Sequence, residues 1–266
     1  MKYAIVNNER VEAQKGMKGN CPVCNKPVIA RCGEFKVNHW AHTKSAHCDK
    51  WWEAETEWHR AWKDLFPKEW QEVIAYDEKT GEKHVADIKT DKGLVIEFQH
   101  SHIKPEEQTS RENFYKNMIW IVDGSRLTRD FPRFSKAFRS SDMKKIGQDI
   151  HLLYYPDEYL PKNWQRRRIP IIFDYQNYEI SDESPDYIRN IQNKLWCLLP
   201  IMADRFVVVI PITKENLINF IKKGIFFSCQ LIADTIQNYF EQTQLNQLQR
   251  LKDQIKKIPR GRRWYL

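Results

Sequence analysis

Three short strand-like runs in the middle of the chain constrain its fold most strongly. They cover residues 72–76, 83–90 and 94–99, alternate apolar with polar side chains, and are separated by polar turns that contain glycine. A helical segment follows over 105–117, with proline and acidic residues in its first turn. The apolar run 118–122 is then typical of a buried strand. This order of a meander, a helix and a strand predicts an α/β domain.

A further helix is predicted before the meander, over residues 49–66. Its apolar residues recur at spacings of three and four, and Pro67 ends it. Glu55, His59 and Lys63 are four residues apart, so they share its other face. The sequence therefore places a carboxylate, an imidazole and an ammonium together on one side of this helix.

The remainder of the chain is predicted to be mainly helical. After an apolar strand over 205–212, Thr213 and Gly224 are suitable caps for one helix, and residues 225–258 predict a longer one. We therefore expect three units. They are N-terminal strands with a Cys/His module in 1–48, the α/β domain in 49–155, and a mainly α-helical domain in 156–266.

Composition favours a soluble protein with a polyanionic partner. Of the 266 residues, 41% are hydrophobic, and no run approaches the roughly 20 apolar residues that a membrane span needs. The opening residues have no long apolar core of a signal peptide, so we expect a cytoplasmic location without membrane contact. The formal net charge is +8, and residues 126–145 alone hold seven basic and two acidic side chains. Nucleic acid is the partner that such a charge favours.

Four of the six cysteines lie within residues 21–48 and predict a zinc site. Cys21-x2-Cys24 is followed, after fourteen residues, by His39-x2-His42, which supplies two thiolates and two imidazoles for one tetrahedral Zn²⁺. We expect Cys21, Cys24, His39 and His42 as ligands, with Cys48 as the alternative to His42. Cys32 and His47 lie nearby, and the other interpretation is a set of reduced cysteines without metal.

A carboxylate pair in the meander predicts a second metal site. Asp87 and Glu97 are ten residues apart on adjacent strands. Strand alternation places Glu97 and Gln99 on one face, within reach of Asp87. With the carbonyl of Phe98 they form an oxygen-rich site suited to Mg²⁺ or Mn²⁺, which can activate water and polarise a phosphate. Glu55 and His59 would assist the metal or the proton transfer, although an ordinary salt bridge and a structural histidine are the alternatives.

These residues together resemble a known family. The motifs are Cys21-x2-Cys24, His39-Trp40-Ala41-His42, Glu55-x3-His59-x3-Lys63, His84-x2-Asp87, Glu97-x-Gln99-x-Ser101 and Arg111-x3-Tyr115 before the run 118–122. Over about residues 1–155 the chain looks like the competence protein CoiA family, which belongs to the PD-(D/E)XK nuclease superfamily. The resemblance implies a restriction-endonuclease-like core with Asp87 and Glu97 as metal ligands, and a part in processing or recombining incoming DNA.

Gln99 departs from the superfamily pattern, because it occupies the position of the motif lysine. An amide can orient water and donate to phosphate, but it carries no charge. Lys89 could supply that charge, and His84 could contact the scissile phosphate. Arg111 and Tyr115 either contact the DNA backbone or pair with Glu107 and pack. The DNA-contacting residues expected are Lys63, His84, Lys89, Arg111, Tyr115, Arg166, Arg167 and Arg168.

Two other functions fit the sequence. The first is a DNA-binding accessory protein without cleavage, in which Trp164, Arg166–Arg168 and the basic tail 252–263 hold single strands. The second is a nuclease effector of defence against foreign DNA. Recombination or defence proteins would then be partners, and the C-terminal helices could form a homo-oligomer. Aromatic residues there favour core or oligomer contacts; they are Trp196, Phe226, Phe227, Tyr239 and Phe240.

Overall fold

A computed structural model describes most of the chain. It covers residues 1–34, 36–43, 48–51, 54–77, 81–147, 149–201, 203, 205–225 and 229–256. His47, Phe226, Phe227 and the tail after residue 256 lie outside the described residues, so the predictions made for them stay predictions.

Strands and helices alternate over much of the described chain. The strands are β1 Tyr3–Val6, β2 Glu9–Glu12, β3 Lys18–Asn20, β4 Pro27–Arg31, β5 His39–His42, β6 Gln71–Tyr76, β7 Lys83–Lys89, β8 Val95–Gln99, β9 Met118–Asp123, β10 Met143–Ile146, β11 Ile150–Tyr154, β12 Ile171–Asp174, β13 Leu195–Leu199 and β14 Phe206–Ile212. The α-helices are α1 Glu57–Lys63, α2 Pro105–Tyr115, α3 Asp130–Lys136, α4 Pro156–Tyr159, α5 Asp186–Gln192, α6 Lys214–Lys223 and α7 Cys229–Lys256.

The N-terminal strands form a small antiparallel sheet in the order β2-β1-β3-β4-β5. Asn7 and Asn8 join β1 to β2 with positive φ angles of 50° and 66°, which asparagine tolerates in a tight hairpin. Ala4, Val28 and Trp40 pack in its small core. The predicted strand pair at the start of the chain is therefore confirmed.

The second sheet is large and mixed, in the order β10-β11-β14-β13-β12-β9-β8-β7-β6. Strands β8, β9 and β12 run parallel, and the other neighbours pair antiparallel. Alternation along β9 sends Ile119 and Ile121 into the core that α1, α6 and α7 cover, and Trp120 into the core that α3 and α5 cover. Helices on both faces of a mixed sheet give a three-layer arrangement, which confirms the α/β class.

The predicted helix over 49–66 is wrong in its first half. Helix α1 begins at Glu57 because Thr56 caps it: the Thr56 hydroxyl accepts the N–H of His59, and the His59 side chain returns to the N–H of Thr56. Trp51 lies outside the helix and stacks on His84, with ring centroids 3.3 Å apart. The meander, α2 and β9 are where the sequence placed them.

The predicted helical domain over 156–266 is also wrong over residues 171–199, whereas the strand predicted over 205–212 is confirmed as β14. Strands β12, β13 and β14 belong to the large sheet, and β12 pairs in parallel with β9. Every residue of β12 and β13 is buried. Such short, uniformly apolar runs have no alternation, so periodicity cannot assign them to a strand. Helices α6 and α7 are confirmed, with Thr213 accepting the N–H of Asn216 and Gly224 at a φ of 65°.

Helix α7 leaves an apolar stripe on the surface in its second half. Trp196, Tyr239 and Phe240 pack against the cores, whereas the side chains of Leu245, Leu248 and Leu251 are exposed. Homo-oligomer formation through this helix stays a prediction. Within the described part of the chain, no helix combines the length and the apolar character that crossing a membrane requires.

Glu72 joins the two sheets. Its Oε1 accepts the backbone N–H of Lys2 at 2.7 Å, and its Oε2 accepts that of Tyr3 at 3.1 Å. The ammonium of Lys63 lies 3.3 Å from Oε1. Burial alone would raise the pKa of Glu72, but Lys63 and the two backbone donors outweigh it and lower that pKa to about 2. The charged form of Glu72 therefore stabilises the attachment of β1 to β6.

Glu72→Gln should lower the free energy of unfolding by about 2 kcal/mol at pH 7, because it removes the charge that these three donors share. Since the folded-state pKa is lowered from 4.5 to about 2, this contribution is complete above pH 4.5 and is lost as the pH falls toward 2. Urea unfolding should show that the difference in the free energy of unfolding between the two proteins is smaller near pH 3 than at pH 7. Glu69→Gln, at an exposed position, is the control. A difference that is equal at both pH values would contradict this account.

Candidate active site and metal centre

Asp87 and Glu97 lie side by side where β7 and β8 separate. The two strands pair at Ile88 with Ile96, and next to this pair the side chains take over the backbone donors. Asp87 Oδ2 accepts the N–H of Phe98 at 3.0 Å, and Glu97 Oε1 accepts the N–H of Asp87 at 3.3 Å. The two carboxylates are thus held together by the strands that carry them. We call this pair, with Gln99 and Lys63, the acidic centre.

The ammonium of Lys63 lies among three carboxylates. Its Nζ is 2.9 Å from Asp87 Oδ1, 3.3 Å from Glu72 Oε1 and 3.4 Å from Glu55 Oε1. Burial alone would lower the pKa of Lys63, but Asp87, Glu72 and Glu55 outweigh it and raise that pKa. Burial raises the pKa of Asp87 in turn, whereas Lys63 and then His59 lower it below its usual value. The expected cluster of Glu55 and Lys63 is therefore present, but it is buried rather than an exposed salt bridge.

Glu97 has Arg111 as its partner. Arg111 Nη1 donates to Glu97 Oε2 at 2.9 Å, while its Nη2 donates to Glu107 Oε1 at 2.6 Å and to the carbonyl of Trp51 at 2.8 Å. Burial and the neighbouring Asp87 raise the pKa of Glu97 to about 8, despite the opposing effect of Arg111. Of the two roles expected for Arg111, the pairing with Glu107 is the one observed, and it orients Glu97 as well.

Gln99 is buried on the same side of β8 as Glu97, as alternation predicts. It is 2% exposed, and its Nε2 donates to the carbonyl of Ser101 at 3.2 Å. Lys63 is the lysine that contacts Asp87. The suggestion that Lys89 supplies the missing charge is therefore corrected in favour of Lys63.

His59 has a structural role. Its Nδ1 faces the hydroxyl of Thr56 at 2.9 Å, and its Nε2 lies 2.9 Å from the carbonyl oxygen of Phe98. With Nδ1 accepting the N–H of Thr56, Nε2 carries the proton and donates to Phe98, an assignment made from the neighbours. The ring therefore fastens α1 to β8. Both nitrogens are engaged, which argues against proton transfer by His59.

His84 and Tyr115 are likewise turned inward. His84 is 2% exposed, and its two nitrogens face Asp49 at 2.7 Å and Glu82 at 2.9 Å. It therefore connects β7 to the segment after the Cys/His module, and its contact with a scissile phosphate stays a prediction that this burial does not favour. The ring of Tyr115 lies 6.0 Å from that of Trp51, and burial raises the pKa of its hydroxyl. The packing role expected for Tyr115 is the one observed.

The three arginines of the Arg166–Arg168 run have different surroundings, because one is paired and two are exposed. Arg167 donates to both carboxylate oxygens of Glu112, at 2.9 and 2.7 Å, and so ties this loop to α2. Arg166 and Arg168 are exposed. Trp164 is 5% exposed, so it offers no surface on which a base could stack.

The acidic centre has the chemistry that a divalent cation needs. Its donors are hard carboxylate oxygens, the class of ligand that Mg²⁺ and Mn²⁺ prefer. The raised pKa of Glu97 reflects two carboxylates crowded together in a buried place, and a cation relieves that repulsion. Asp87 and Glu97 therefore fit such a metal.

A second candidate metal centre lies in the N-terminal module. The ligand atoms of Cys21, Cys24, His42 and Cys48 all lie within 4.8 Å of one another. Cys21 Sγ is 3.6 Å from Cys48 Sγ, and Cys24 Sγ is 3.2 Å from His42 Nε2. Burial and the Cys21 thiol raise the pKa of Cys48 to about 12, so a charged thiolate there needs a cation. Three thiols and one imidazole fit Zn²⁺ in a closed site.

The expected zinc ligands are corrected at one position. His39 and His42 are three residues apart on β5, so alternation sends them to opposite faces of the strand. His42 faces the thiols, while His39 Nδ1 lies 2.9 Å from the carbonyl oxygen of Val37. Cys48 takes the place of His39. Cys32 is directed to the carbonyl of Ala13 instead.

Sequence reasoning missed Glu72. It lies on β6 next to Asp87 of β7, since Gln71 pairs with Ile88 and Val73 with Ala86. Its φ of 46° is unusual for a residue in a strand, and it belongs to a distortion that turns the side chain toward Lys63. An acidic residue inside the strand QEVIAY was the available signal.

These features define a class of protein. It is an α/β chain in which a candidate zinc module precedes, along the sequence, a mixed sheet that carries paired carboxylates. Two family models match it, described as "Competence protein CoiA, N-terminal domain" over residues 5–50 and "Competence protein CoiA, nuclease-like domain" over residues 79–180. The chain belongs to a competence protein CoiA-like family, as the motifs indicated. No curated protein and no solved structure matches it.

The two matches include the whole Cys/His cluster but only part of the acidic centre and its partners. The first includes all four residues of the Cys/His cluster, and the second includes Asp87, Glu97 and Gln99. Glu55, Lys63 and Glu72 lie between the matched ranges. The second match ends at residue 180, so β12 belongs to the nuclease-like region.

The two histidines of β5 give a matched test of the zinc site. His42→Ala should abolish binding of about one Zn²⁺ per chain, because it removes a ligand from the cluster, whereas His39→Ala should retain it. Metal content of both purified proteins can be measured by atomic emission and by colorimetric release of zinc. Loss of zinc from both variants would restore the original ligand assignment, and loss from the His39 variant alone would favour its alternative, with Cys48 in place of His42.

Proposed function

We propose that this protein is a metal-dependent deoxyribonuclease with a PD-(D/E)XK-type core. The observation that carries the proposal is the pairing of Asp87 with Glu97 at the split between β7 and β8, beside Gln99 and the Lys63 ammonium. The match to a nuclease-like domain over residues 79–180 supports it. The substrate would be a DNA phosphodiester, which the net charge of +8 also favours.

Asp87 and Glu97 are the residues that would hold Mg²⁺ or Mn²⁺. When bound, such an ion supplies an activated water and positive charge against the phosphate. Arg111 orients Glu97, and Lys63 keeps Asp87 ionised and in place. Gln99 lies on the same face and can orient the attacking water through its amide, with Ser101 fixing the direction of Nε2. Zn²⁺ at the Cys/His cluster would stabilise the N-terminal sheet.

The biological setting follows from the family. A CoiA-like nuclease would act on incoming DNA during competence and its recombination. Recombination proteins are then the expected partners, and the location is the cytoplasm. Defence against foreign DNA would use the same chemistry on a different substrate source.

Substitutions in the acidic centre test the reaction. Asp87→Asn and Glu97→Gln keep the size of each side chain but remove its charge. Each should lower metal-dependent cleavage by at least about a hundredfold, because the ion loses a ligand. Cleavage of linear duplex, single-stranded and supercoiled DNA with Mg²⁺ or Mn²⁺ would be followed on gels.

Asp91→Asn is the matched control, because Asp91 is an exposed carboxylate in the turn between β7 and β8. It should cleave like the unmodified protein. Equal cleavage by the Asp87, Glu97 and Asp91 variants would show that the acidic centre is not catalytic.

A DNA-binding accessory protein without cleavage is the second candidate. The observation in its favour is that Lys63 and Arg111 already contact Asp87 and Glu97, so the centre holds together electrostatically by itself. Gln99 also lacks the charge of the motif lysine. DNA binding without cutting under either metal, in the unmodified protein, would favour this candidate.

A further inference from the structure

A basic cleft lies at the carboxyl ends of the parallel strands β8, β9 and β12. Its volume is about 670 Å³, within the range of cavities that enclose ligands. Cationic and imidazole side chains line it: His100, His102, Arg126, Arg129, Arg133 and Lys162. None of these residues has a part in the proposed chemistry of the acidic centre.

Positively charged side chains outnumber carboxylates in the cleft. Its carboxylates are Asp123 and Asp130, and both have partners. Asp123 Oδ2 lies 2.7 Å from His100 Nδ1, and Asp130 Oδ1 lies 3.8 Å from Arg129 Nε. Burial raises the pKa of Asp130, whereas Arg129, Arg133 and Arg126 oppose that rise. Four permanent cations, of which Arg129 is paired with Asp130, line the cleft together with two carboxylates, so the net charge is positive and an anion is the ligand that it favours.

The basic segment 126–145 contributes Arg126, Arg129 and Arg133 to this cleft. Arg126 and Arg129 are exposed, whereas Arg133 donates to the carbonyl of Glu158 and so holds α4. Part of the positive charge that the sequence concentrates in residues 126–145 therefore lies at this cleft. Two of its arginines are directed to solvent and can contact a ligand.

The cleft begins where the acidic centre ends. His100 follows Gln99 directly, and its ring centroid is 6.1 Å from that of His59, which contacts the carbonyl of Phe98. Asp123 accepts a hydrogen bond from His100 Nδ1, so Nε2 faces away from this pair and donates to a phosphate oxygen when the ring is an imidazolium. His100 is therefore the residue of the cleft that directly follows the acidic centre along the chain.

We propose that this cleft binds the sugar–phosphate backbone of DNA next to the scissile phosphodiester, with His100, Arg126 and Arg129 contacting successive phosphates. The proposal rests on the proposed function for the identity of the polyanion. It goes beyond that function because it names the surface that holds the substrate.

The test compares the double variant Arg126→Gln, Arg129→Gln with Lys222→Gln, Lys223→Gln. Both variants remove two exposed positive charges, but α6 covers the opposite face of the sheet from α3. Fluorescence anisotropy would measure binding to labelled single-stranded and duplex DNA without added divalent metal, between about 50 and 200 mM salt.

The arginine variant should bind about tenfold more weakly, and the slope of log affinity against log salt should become shallower by about 1.5, since two phosphate contacts are lost. The lysine variant should keep most of the affinity. Equal affinities and slopes for the two variants would overturn the proposal, as would a protein that binds neither form of DNA.

The outcomes also separate this proposal from the proposed function. Weaker binding by the arginine variant, in a protein that cuts under neither metal, would support the cleft and contradict the nuclease. Cleavage that depends on Asp87 and Glu97, together with unchanged binding by the arginine variant, would support the nuclease and contradict the cleft.

Discussion

The two candidate functions and much of the fold depend on the ion pairs that the buried ammonium of Lys63 makes. This ammonium lies within 3.4 Å of carboxylates from three separate segments: Glu55 before α1, Glu72 on β6 and Asp87 on β7. Removing one partner of a buried ion pair leaves an uncompensated charge, which costs several kcal/mol. Through Glu72 the same cluster also reaches the backbone of β1, so one side chain links the N-terminal sheet to the acidic centre.

The same ammonium gives a physical reason for Gln99. Asp87 and Glu97 already contact Lys63 and Arg111, and a lysine in place of Gln99 would bring a third cation to this buried pair. Glu55, Glu72 and Glu107 share the two cations already present, but a further cation beside Asp87 and Glu97 would compete with a divalent ion for these carboxylates. A neutral amide leaves the carboxylates able to accept one, while Lys63 supplies a cation from α1 instead of from β8. A neutral amide at this position is therefore compatible with the metal-dependent reaction that we propose.

The central strands were predictable because their alternation and turn residues are local signals. The same is true of the caps at Thr213 and Gly224, which depend on one hydroxyl and one positive φ angle. The site was predictable where strand parity was applied, which places Glu97 with Gln99; the separation of His42 from His39 was missed because their segment was not assigned to a strand. Glu72 was not predicted, because its side chain reaches Lys63 through a local distortion of β6. Lys63 was expected to contact DNA, because the burial of a lysine depends on partners that are distant in sequence.

The strands after residue 155 explain why the acidic centre cannot be understood from the meander alone. Asp174, at the end of β12, accepts the indole N–H groups of Trp58 and Trp62 at 3.1 and 2.9 Å, although it is 2% exposed. Both indoles belong to α1, the helix that carries Lys63. Because β12 pairs in parallel with β9, Asp174 fixes α1 over the sheet from a strand that periodicity could not detect. The position of the central cation therefore depends on a residue more than a hundred positions away, which makes the region around β12 part of the site.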